Sequence, residues 1–272
     1  MPNQKRERQR AARQAKRAAA EQARRRAQRR RQIIALAAAF LGILAIGFYI
    51  SRDSGDGGSK VNTEPAAQPS AAQPSADQYG DAPCPPDDGA AERPPTFDSR
   101  PQKCIDDKVD YQAVFDTDAG EITVDLLEDA APVAVNNFVF LARYKAYDGI
   151  PFHRVIPGFV VQGGDIENQG GTGGPGYAID DELPKPSDYK EGSLAMANSG
   201  PDTSGSQFFI VVSDDGAQQL LDAVGGEAKY TLFGQVTSGI EVVKAIEADG
   251  TPGGTPTVQH LIRSVRIVQA KK

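Results

Sequence analysis

The feature that most constrains this chain is a stretch of 14 residues, FHRVIPGFVVQGGD, at positions 152–165. Apolar residues alternate with other residues on both sides of Pro157 and Gly158, a pattern that predicts two short strands meeting at a tight corner. The double glycine at its end then interrupts the second strand. The stretch combines one cation, Arg154, and one amide, Gln162, with aromatic and small apolar side chains. This composition predicts a shallow apolar groove with one fixed hydrogen-bond donor.

Short alternating segments with glycine turns recur after this stretch and before it. Segments 111–116 and 121–126 flank the turn Asp118-Ala119-Gly120, which is typical of a hairpin. Further strands are expected at residues 193–197, 207–212, 231–236 and 259–268. Two helices are predicted, one beginning at Pro132 and one over 239–248. Many short strands with only two helices favour an all-β fold and a closed barrel.

A second stretch, MANSGPDTSGSQFFI, occupies residues 196–210. In this order and at this separation, the two stretches resemble the signatures of the cyclophilin family of peptidyl-prolyl cis-trans isomerases, the first of them nearly letter for letter. The resemblance covers a domain at residues 109–270 and implies a closed eight-stranded antiparallel β-barrel capped by two α-helices. It also implies a prolyl isomerase that acts on proline-containing polypeptides and uses no cofactor and no metal.

An isomerase of X–Pro bonds needs no nucleophile, because its barrier of about 18–20 kcal/mol is the loss of amide resonance. A donor directed at the amide nitrogen stabilises only the twisted amide, so it binds the transition state more tightly than the substrate. The resemblance gives this role to Arg154, and it completes the catalytic set with Gln162 and Phe159. The substrate-binding residues that it implies are Val160, Gly171, Thr172, Ala197, Asn198, Gln207, Phe209, Leu221 and Tyr230.

Three positions depart from the family pattern, and the first, Val160 in place of a frequent methionine, is a conservative change. Tyr230 stands where the family has a histidine, and Leu220 stands where many members have a tryptophan. A tyrosine still offers an aromatic face and a hydroxyl group, so we expect activity to be kept. In family members that have the tryptophan, its indole N–H is a donor used to bind cyclosporin. Because this chain lacks that donor, we expect weak inhibition by the drug. The same departures leave an alternative open, a non-catalytic module or chaperone that binds proline segments on the same barrel.

Other chemistries have little support in the sequence. The only two histidines, at positions 153 and 260, leave little for hydrolytic or metal mechanisms. The glycine-rich segment 170–176 lacks the Lys-Ser/Thr pair of a P-loop, and we interpret it as a surface loop at the rim of the groove. His153 is interpreted as a structural histidine of the core, and the acidic run 180–182 as a solvated face.

The first 51 residues predict a membrane anchor. Residues 1–31 carry 13 Lys or Arg and 2 Asp or Glu, a net charge of +11, whereas the rest of the chain sums to −17. Residues 32–51 carry no charge, and the run 33–50 is almost wholly apolar, close to the ~20 residues that span a bilayer. Basic residues on its N-terminal side place that end in the cytoplasm. We therefore expect a single-pass protein of a bacterial cell membrane, with lipid around residues 33–50 and an extracytoplasmic isomerase domain.

Two alternatives remain open for this region. A cleaved signal peptide has a shorter apolar region and an A-x-A-like site, and no clear site follows the run. A basic arm that binds nucleic acid is the other alternative, since clustered Lys and Arg neutralise phosphates. The adjacent apolar run favours an orientation signal, so no nucleic-acid partner is expected. Nothing in the sequence marks a dimer interface, and we expect a monomer.

Residues 52–108 are predicted to be a linker rich in Pro, Ala and Gly. Residues 52–103 hold 9 of the 19 prolines, and the unit AAQPS occurs twice in tandem at residues 66–75. Such sequence buries too little apolar surface to fold and favours extended conformations. The only two cysteines, Cys84 and Cys104, are expected to form a disulfide in an oxidising compartment. Closing a loop of about 20 residues would stabilise the fold by ~3 kcal/mol and tie the end of the linker to the domain.

Overall fold

The computed structural model describes residues 78–90, 93 and 97–271. The predicted cytoplasmic segment 1–31, the predicted transmembrane helix 32–51 and the tandem repeat of the linker lie outside the described residues. Within the part of the chain that is described, no helix has the length and apolar character needed to cross a membrane. These residues form one antiparallel sheet, three α-helices and a folded N-terminal extension.

Nine strands make up the sheet in the described part of the chain. They are β1 (Val109–Thr117), β2 (Gly120–Leu126), β3 (Ile150–Pro151), β4 (Arg154–Ile156), β5 (Val160–Gly163), β6 (Ser193–Met196), β7 (Phe208–Val211), β8 (Leu232–Ser238) and β9 (Leu261–Lys271). The helices are α1 (Pro132–Arg143), α2 (Asp214–Ala223) and α3 (Ile240–Ala248), and a short 3₁₀ helix covers Pro186–Asp188. The strand order is β3-β9-β1-β2-β8-β6-β7-β5-β4.

The sheet curls so that its two edge strands, β3 and β4, are joined by only Phe152 and His153. The two edges do not pair with each other. Pro151 has no N–H to donate, and the Phe152 N–H donates to the His260 carbonyl at 2.9 Å, on the side of β9. The all-β class is confirmed, but the expectation that eight strands close into a barrel is wrong. The sheet is a curled half-barrel of nine strands.

The sequence patterns predict two helices, whereas the structure has a third, α2, between β7 and β8. Its N-terminus is capped by Ser213, whose Oγ accepts a hydrogen bond from the Gly216 N–H at 3.0 Å, and two aspartates occupy its first turn. Only Gly216, Ala217 and Leu220 are buried in this helix. So short an apolar face, with a glycine inside the helix, gives weak helical periodicity, and the sequence therefore does not reveal α2.

An aromatic cluster around α1 forms the centre of the core. Pro132 begins α1, where its fixed φ suits the first turn, and every later residue of the helix is buried. The ring of Phe138 lies 5.1–5.9 Å from four others, those of Phe115, Tyr147, Phe208 and Phe233. Burial of each ring contributes about 1.5–3 kcal/mol. The cluster thus fixes β7, which carries Phe208, against α1.

A distant carboxylate caps the N-terminus of α1. The N-cap residue, Ala131, has no side chain that can accept, and Glu182 accepts hydrogen bonds from the N–H groups of Val133 at 3.1 Å and Ala134 at 2.9 Å. Burial raises the pKa of Glu182 to about 7, although the two N–H donors oppose this change. The last residue of the acidic run 180–182 is therefore a helix cap rather than part of a solvated face.

The segment predicted to be a linker contributes folded structure from residue 78 onward. The N-terminal extension, the described residues between 78 and 108, contains the predicted disulfide between Cys84 and Cys104, whose Cα atoms lie 5.4 Å apart. Asn136 of α1 accepts hydrogen bonds from the N–H groups of Cys104 at 2.6 Å and Ile105 at 3.2 Å. The extension is thus tied to α1 next to the disulfide.

Candidate active site

The candidate catalytic side chains lie in one row across adjacent strands. Arg154 of β4 is the register partner of Gln162 in β5, and Gln162 is in turn the partner of Phe209 in β7. Directly opposed residues of an antiparallel sheet project from the same face. Gln207 precedes Phe209 by two residues, which places both on that face. The register therefore brings together four of the residues that the sequence predicts for the site.

A chain of hydrogen bonds gives the polar side chains of this row a fixed direction. The Gly173 carbonyl accepts a hydrogen bond from Gln207 Nε2 at 2.8 Å, and Gln207 Oε1 accepts one from Gln162 Nε2 at 3.1 Å. Gln162 Oε1 then accepts a hydrogen bond from Arg154 Nη1 at 3.1 Å. Because a carbonyl oxygen can only accept, it orients the first amide, and that amide orients the second. The chain therefore presents an amide oxygen, not an NH₂ group, to the guanidinium.

The residues expected to line a proline pocket are mostly buried. The exposed fractions are 8% for Phe159, 2% for Val160, 4% for Phe209 and 6% for Tyr230. The rings of Phe209 and Tyr230 meet edge to face, with centroids 5.3 Å apart and an interplanar angle of 86°. Leu221 is half-buried on α2. The first turn of that helix lies against Phe159, because a Cβ on Gly216 would be 2.8 Å from the Phe159 carbonyl oxygen.

Arg154 and Tyr230 influence each other's ionisation. Burial lowers the pKa of Arg154, and Tyr230 opposes that change. Burial also raises the pKa of Tyr230 to about 12, and here Arg154 opposes the change. At neutral pH the site therefore holds a guanidinium cation beside a neutral phenol. Partial exclusion of water strengthens any hydrogen bond from this cation to a bound amide.

Ala197 and Asn198 follow β6 and are half-buried. The Ala197 N–H donates to the Gln207 carbonyl at 2.9 Å. Asn198 Nδ2 donates to the Lys229 carbonyl at 2.7 Å, which fixes the segment that leads to Tyr230. Pairing of this segment with a substrate backbone, as the resemblance implies, would therefore use backbone groups other than the Ala197 N–H.

Sequence reasoning misses the residue that organises the glycine-rich loop, Asp165. Its carboxylate is fully buried and accepts hydrogen bonds at 2.6–3.2 Å from six backbone N–H groups, those of Glu167, Asn168, Gly170, Gly171, Thr172 and Gly173. Burial alone would raise the pKa of Asp165, but these bonds outweigh it and lower the pKa to about 2. Only glycine fits at position 173, because a Cβ would lie 2.4 Å from Asp165 Oδ1. An acid between a double glycine and a glycine-rich run is the signal that could have revealed this role.

The loop around Asp165 also bears on the phosphate-binding alternative. Gly171 is half-buried and Thr172 is exposed, and both donate their N–H groups to Asp165. The N–H groups that a phosphate would need are thus bound to the protein's own carboxylate. This arrangement fits a loop at the rim of the groove rather than an anion site.

His153 lies against the same loop, since a Cβ on Gly171 would be 3.0 Å from the imidazole ring. Burial lowers the pKa of His153, while Asp165 raises it and Arg154 lowers it further. The ring is therefore neutral at physiological pH, as a structural histidine would be. No three His, Cys, Asp or Glu side chains in the described part of the chain are grouped so as to hold a metal ion. That the site needs no metal or cofactor stays a prediction.

Comparison with known proteins identifies relatives of the region that holds this row. A family profile described as "Cyclophilin type peptidyl-prolyl cis-trans isomerase/CLD" matches residues 113–271. Peptidyl-prolyl cis-trans isomerase B of Bacillus subtilis is 48% identical over 128 residues, which make up 47% of this chain and 83% of that protein. A peptidyl-prolyl cis-trans isomerase of Helicobacter pylori is 44% identical over 138 residues, or 50% of this chain and 79% of the relative.

Solved structures show the same similarity. The cyclophilin type peptidyl-prolyl cis-trans isomerase of Cryptosporidium parvum superimposes with a TM-score of 0.51 at 28% identity, over 58% of this chain and 98% of that one. A second structure of that protein, determined in the presence of the dipeptide Ala-Pro, has a TM-score of 0.51 at 29% identity. The family profile begins at residue 113, after the N-terminal extension.

Proposed function

Because this chain belongs to the family of cyclophilin-type peptidyl-prolyl cis-trans isomerases, we propose that Arg154 is the group that stabilises the twisted X–Pro amide. The isomerase activity itself follows from the family and from the named relatives. The observation that carries the assignment of Arg154 is the directed hydrogen-bond chain, which ends with Gln162 Oε1 at 3.1 Å from the guanidinium. These hydrogen bonds hold the Arg154 guanidinium in one orientation beside the buried aromatic residues.

The proposed mechanism needs no covalent intermediate. Rotation about the X–Pro bond breaks amide resonance, which creates the barrier of about 18–20 kcal/mol. In the twisted amide, the nitrogen gains a lone pair that can accept a hydrogen bond. An N–H of Arg154 directed at that nitrogen stabilises the transition state more than either planar isomer. Phe159, Phe209 and Tyr230 would hold the proline ring, and Gln207 would position the substrate amide.

We also propose that the substrates are exported or surface proteins. The disulfide between Cys84 and Cys104 supports this, because disulfides persist mainly in oxidising compartments. The predicted transmembrane helix 32–51 and the basic segment 1–31 support anchoring in a bacterial cell membrane, with a cytoplasmic N-terminus and an extracytoplasmic domain. Uncatalysed X–Pro isomerisation takes tens to hundreds of seconds and can limit folding, so a catalyst in that compartment would accelerate it.

Arg154→Ala in the full chain tests the proposed role of Arg154. In a protease-coupled assay with a proline-containing peptide, we expect kcat/KM to fall about 10²- to 10³-fold, the loss seen when a transition-state donor is removed. Arg263→Ala is the matched control, because Arg263 lies in β9 with 60% of its side chain exposed and forms a 3.6 Å ion pair with Asp116. This control should keep the wild-type activity.

Near-wild-type activity in Arg154→Ala would show that Arg154 is not the stabilising donor. A folded wild-type chain without activity would favour the alternative function, a module that binds proline segments without isomerising them. In that case, peptide binding measured by fluorescence or calorimetry should remain in both the wild type and Arg154→Ala.

A further inference from the structure

The glycine-rich segment 170–176 belongs to a longer glycine-rich loop, residues 166–176, and the N-terminal extension contacts both ends of it. At one end, the Arg93 guanidinium donates a hydrogen bond to the Ile166 carbonyl. At the other end, the Phe97 carbonyl oxygen is so close to Gly176 that a Cβ there would lie 2.8 Å from it. The extension therefore brackets the loop from outside the region that the family profile matches.

A salt bridge continues this contact just beyond the loop. Arg100 Nη2 lies 2.9 Å from Asp180 Oδ1, with 30% and 38% of the two side chains exposed. Such a partly exposed ion pair alone contributes little to the free energy of folding. Here the backbone around Arg100 is itself held, because the Gly80 N–H donates to the Pro101 carbonyl at 2.9 Å and the Ala82 N–H donates to the Arg100 carbonyl at 3.1 Å. The salt bridge is therefore part of a wider interface.

Contacts with α1 hold the extension in this position. Phe97 is 8% exposed, and its ring lies 5.3 Å from Phe140 and 5.7 Å from Tyr144. Asp87 forms an ion pair with Arg143 at 2.8 Å, and the Arg143 side chain is only 3% exposed. The extension thus packs on the same helix whose aromatic residues form the centre of the core.

The contacts described above with the loop and with Asp180 come from residues inside the ring that the disulfide closes. Cys84 and Cys104 are 20 positions apart in the sequence, and Arg93, Phe97 and Arg100 all lie between them. Opening this ring would widen the range of positions that its residues can reach and so weaken their hold on the loop, because a closed ring restricts those positions.

The loop transmits its position to the candidate site. The Gly173 carbonyl accepts the hydrogen bond from Gln207 Nε2 at 2.8 Å, which is the first bond of the chain that ends at Arg154. Gly171 and Thr172 are the residues expected to border the groove. A displaced loop would therefore change both the rim of the groove and the orientation of the two amides.

We propose that the N-terminal extension is a positioning element of the isomerase, in which the disulfide-closed ring 84–104 holds the glycine-rich loop in the geometry that orients Gln207 and Arg154. The inference rests on the proposed role of the Arg154 site. It adds to the catalytic unit a segment that precedes residues 113–271, and it makes substrate binding sensitive to the state of the disulfide.

The test compares the oxidised full chain with Cys84→Ser/Cys104→Ser in the protease-coupled assay and in hydrogen exchange. Without the disulfide, we expect the amides of residues 167–173 to exchange faster, because their support is weakened. KM should rise at least about fivefold, the lower end of coupling between sites. We expect kcat to fall as well, because a displaced loop also disturbs the hydrogen bonds that orient Arg154, a group that stabilises only the transition state. A reductant should produce the same changes in the wild type and none in the double variant.

Arg100→Gln and Asp180→Asn test the contact without altering the disulfide. Each variant removes one partner of the salt bridge, so each should raise KM and speed up exchange in the loop, and the double variant should be no worse than either. Lys103→Gln is the matched control, because Lys103 forms an exposed ion pair with Asp107 at 2.6 Å within the extension itself. The control should leave KM and exchange unchanged.

Unchanged exchange and unchanged KM in a folded Cys84→Ser/Cys104→Ser variant would overturn this inference. If that variant does not fold, the same two measurements on Arg100→Gln and Asp180→Asn decide the question. An inactive wild-type chain, or full activity in Arg154→Ala, would instead contradict the proposed function. The two failures are therefore distinguishable.

Discussion

Asp165 is a single side chain that determines the shape of a whole loop. A buried carboxylate is costly unless hydrogen bonds replace its water shell, and six backbone N–H groups do so here. The same bonds satisfy N–H groups of a loop that has no regular secondary structure. The buried carboxylate and the loop around it therefore stabilise each other.

Asp165→Asn should weaken this arrangement without changing its volume. The NH₂ group of Asn cannot accept, so some of the N–H groups lose their partner. We expect the free energy of unfolding to fall by roughly 3 kcal/mol, the scale of a few buried donors left unpaired, in chemical denaturation near neutral pH. Because the pKa of Asp165 is lowered from 3.8 to about 2, the advantage of the wild type should be complete above about pH 4 and shrink as pH falls through 2.

Asp202→Asn is the control for this change. Asp202 is an exposed aspartate in a left-handed conformation, with φ of 58°, and it accepts a hydrogen bond from the Asp181 N–H at 2.9 Å. Asn tolerates this conformation and keeps an acceptor, so the unfolding free energy should barely change. Equal effects of the two substitutions would mean that the loop does not depend on the charge of Asp165.

His260 joins three elements that are distant in sequence. Its Nδ1 lies 3.1 Å from Asp118 Oδ1 in the β1–β2 turn, and its Nε2 lies 3.0 Å from Asp249 Oδ2 at the end of α3. The Leu261 N–H, at the start of β9, donates to the same Asp118 oxygen at 3.1 Å. The side chain of His260 is 14% exposed, whereas those of Asp118 and Asp249 are 33% and 35% exposed, so only the imidazole of this junction is largely shielded from water.

His260→Gln should remove a pH-dependent part of the stability. Burial lowers the pKa of His260, but the hydrogen bonds with Asp249 and Asp118 outweigh it and raise the pKa above 6.5. The contribution of the imidazolium is therefore fully present below about pH 6.5, and it is lost as pH rises through the higher folded pKa. Between about pH 6 and 8, Tm should fall more steeply in the wild type than in His260→Gln.

Titration of the ring protons by NMR checks this prediction directly, since the chain has only two histidines. His260 should titrate above 6.5. His153, whose pKa burial lowers, should titrate below 6.5 and provides an internal control of opposite sign. Asp249→Asn should move only the His260 titration, towards lower pH. A His260 pKa at or below 6.5 would contradict the prediction.

The elements that the sequence reveals are those with a local cause. The hairpin of β1 and β2 follows from alternation around Gly120, whose φ of +137° requires a glycine. β3 has only two residues and is a strand only because Ile150 pairs with Ile262 of β9, which no local pattern records. The N-terminal extension has the composition of a linker, and its fold depends on contacts with the rest of the domain, such as those of the Phe97 ring with Phe140 and Tyr144.

The candidate site divides in the same way. The spacing within 152–165 brings Arg154 and Gln162 together, because the Pro-Gly corner pairs their strands. The direction of the amide chain is not visible in the sequence, since it depends on the Gly173 carbonyl in a loop folded around Asp165. Resemblance can name the polar residues of the site, but the orientation of the glutamines follows only from the fold.

At the scale of the whole molecule, two independent observations support the proposed topology, in which the N-terminus and the isomerase domain lie on opposite sides of a membrane. The net charge of +11 on residues 1–31 favours the cytoplasm for the N-terminus, whereas the remaining residues sum to −17. The disulfide between Cys84 and Cys104 favours an oxidising compartment for the isomerase domain. A membrane between these two locations satisfies both observations, and the uncharged run 32–51 has the length to cross it.

This topology can be tested on the full chain in intact cells. Protease added outside should release the isomerase domain and leave residues 1–31 protected. Replacing the arginines at 24–26 and 29–31 by Gln should weaken or invert this orientation, because it removes the positive charge next to the apolar run. Neutralising Arg263 and Arg266 in β9 is the control and should leave protection unchanged. A mature N-terminus beyond residue 51 would instead show a cleaved signal peptide, and the domain would then be free of the membrane.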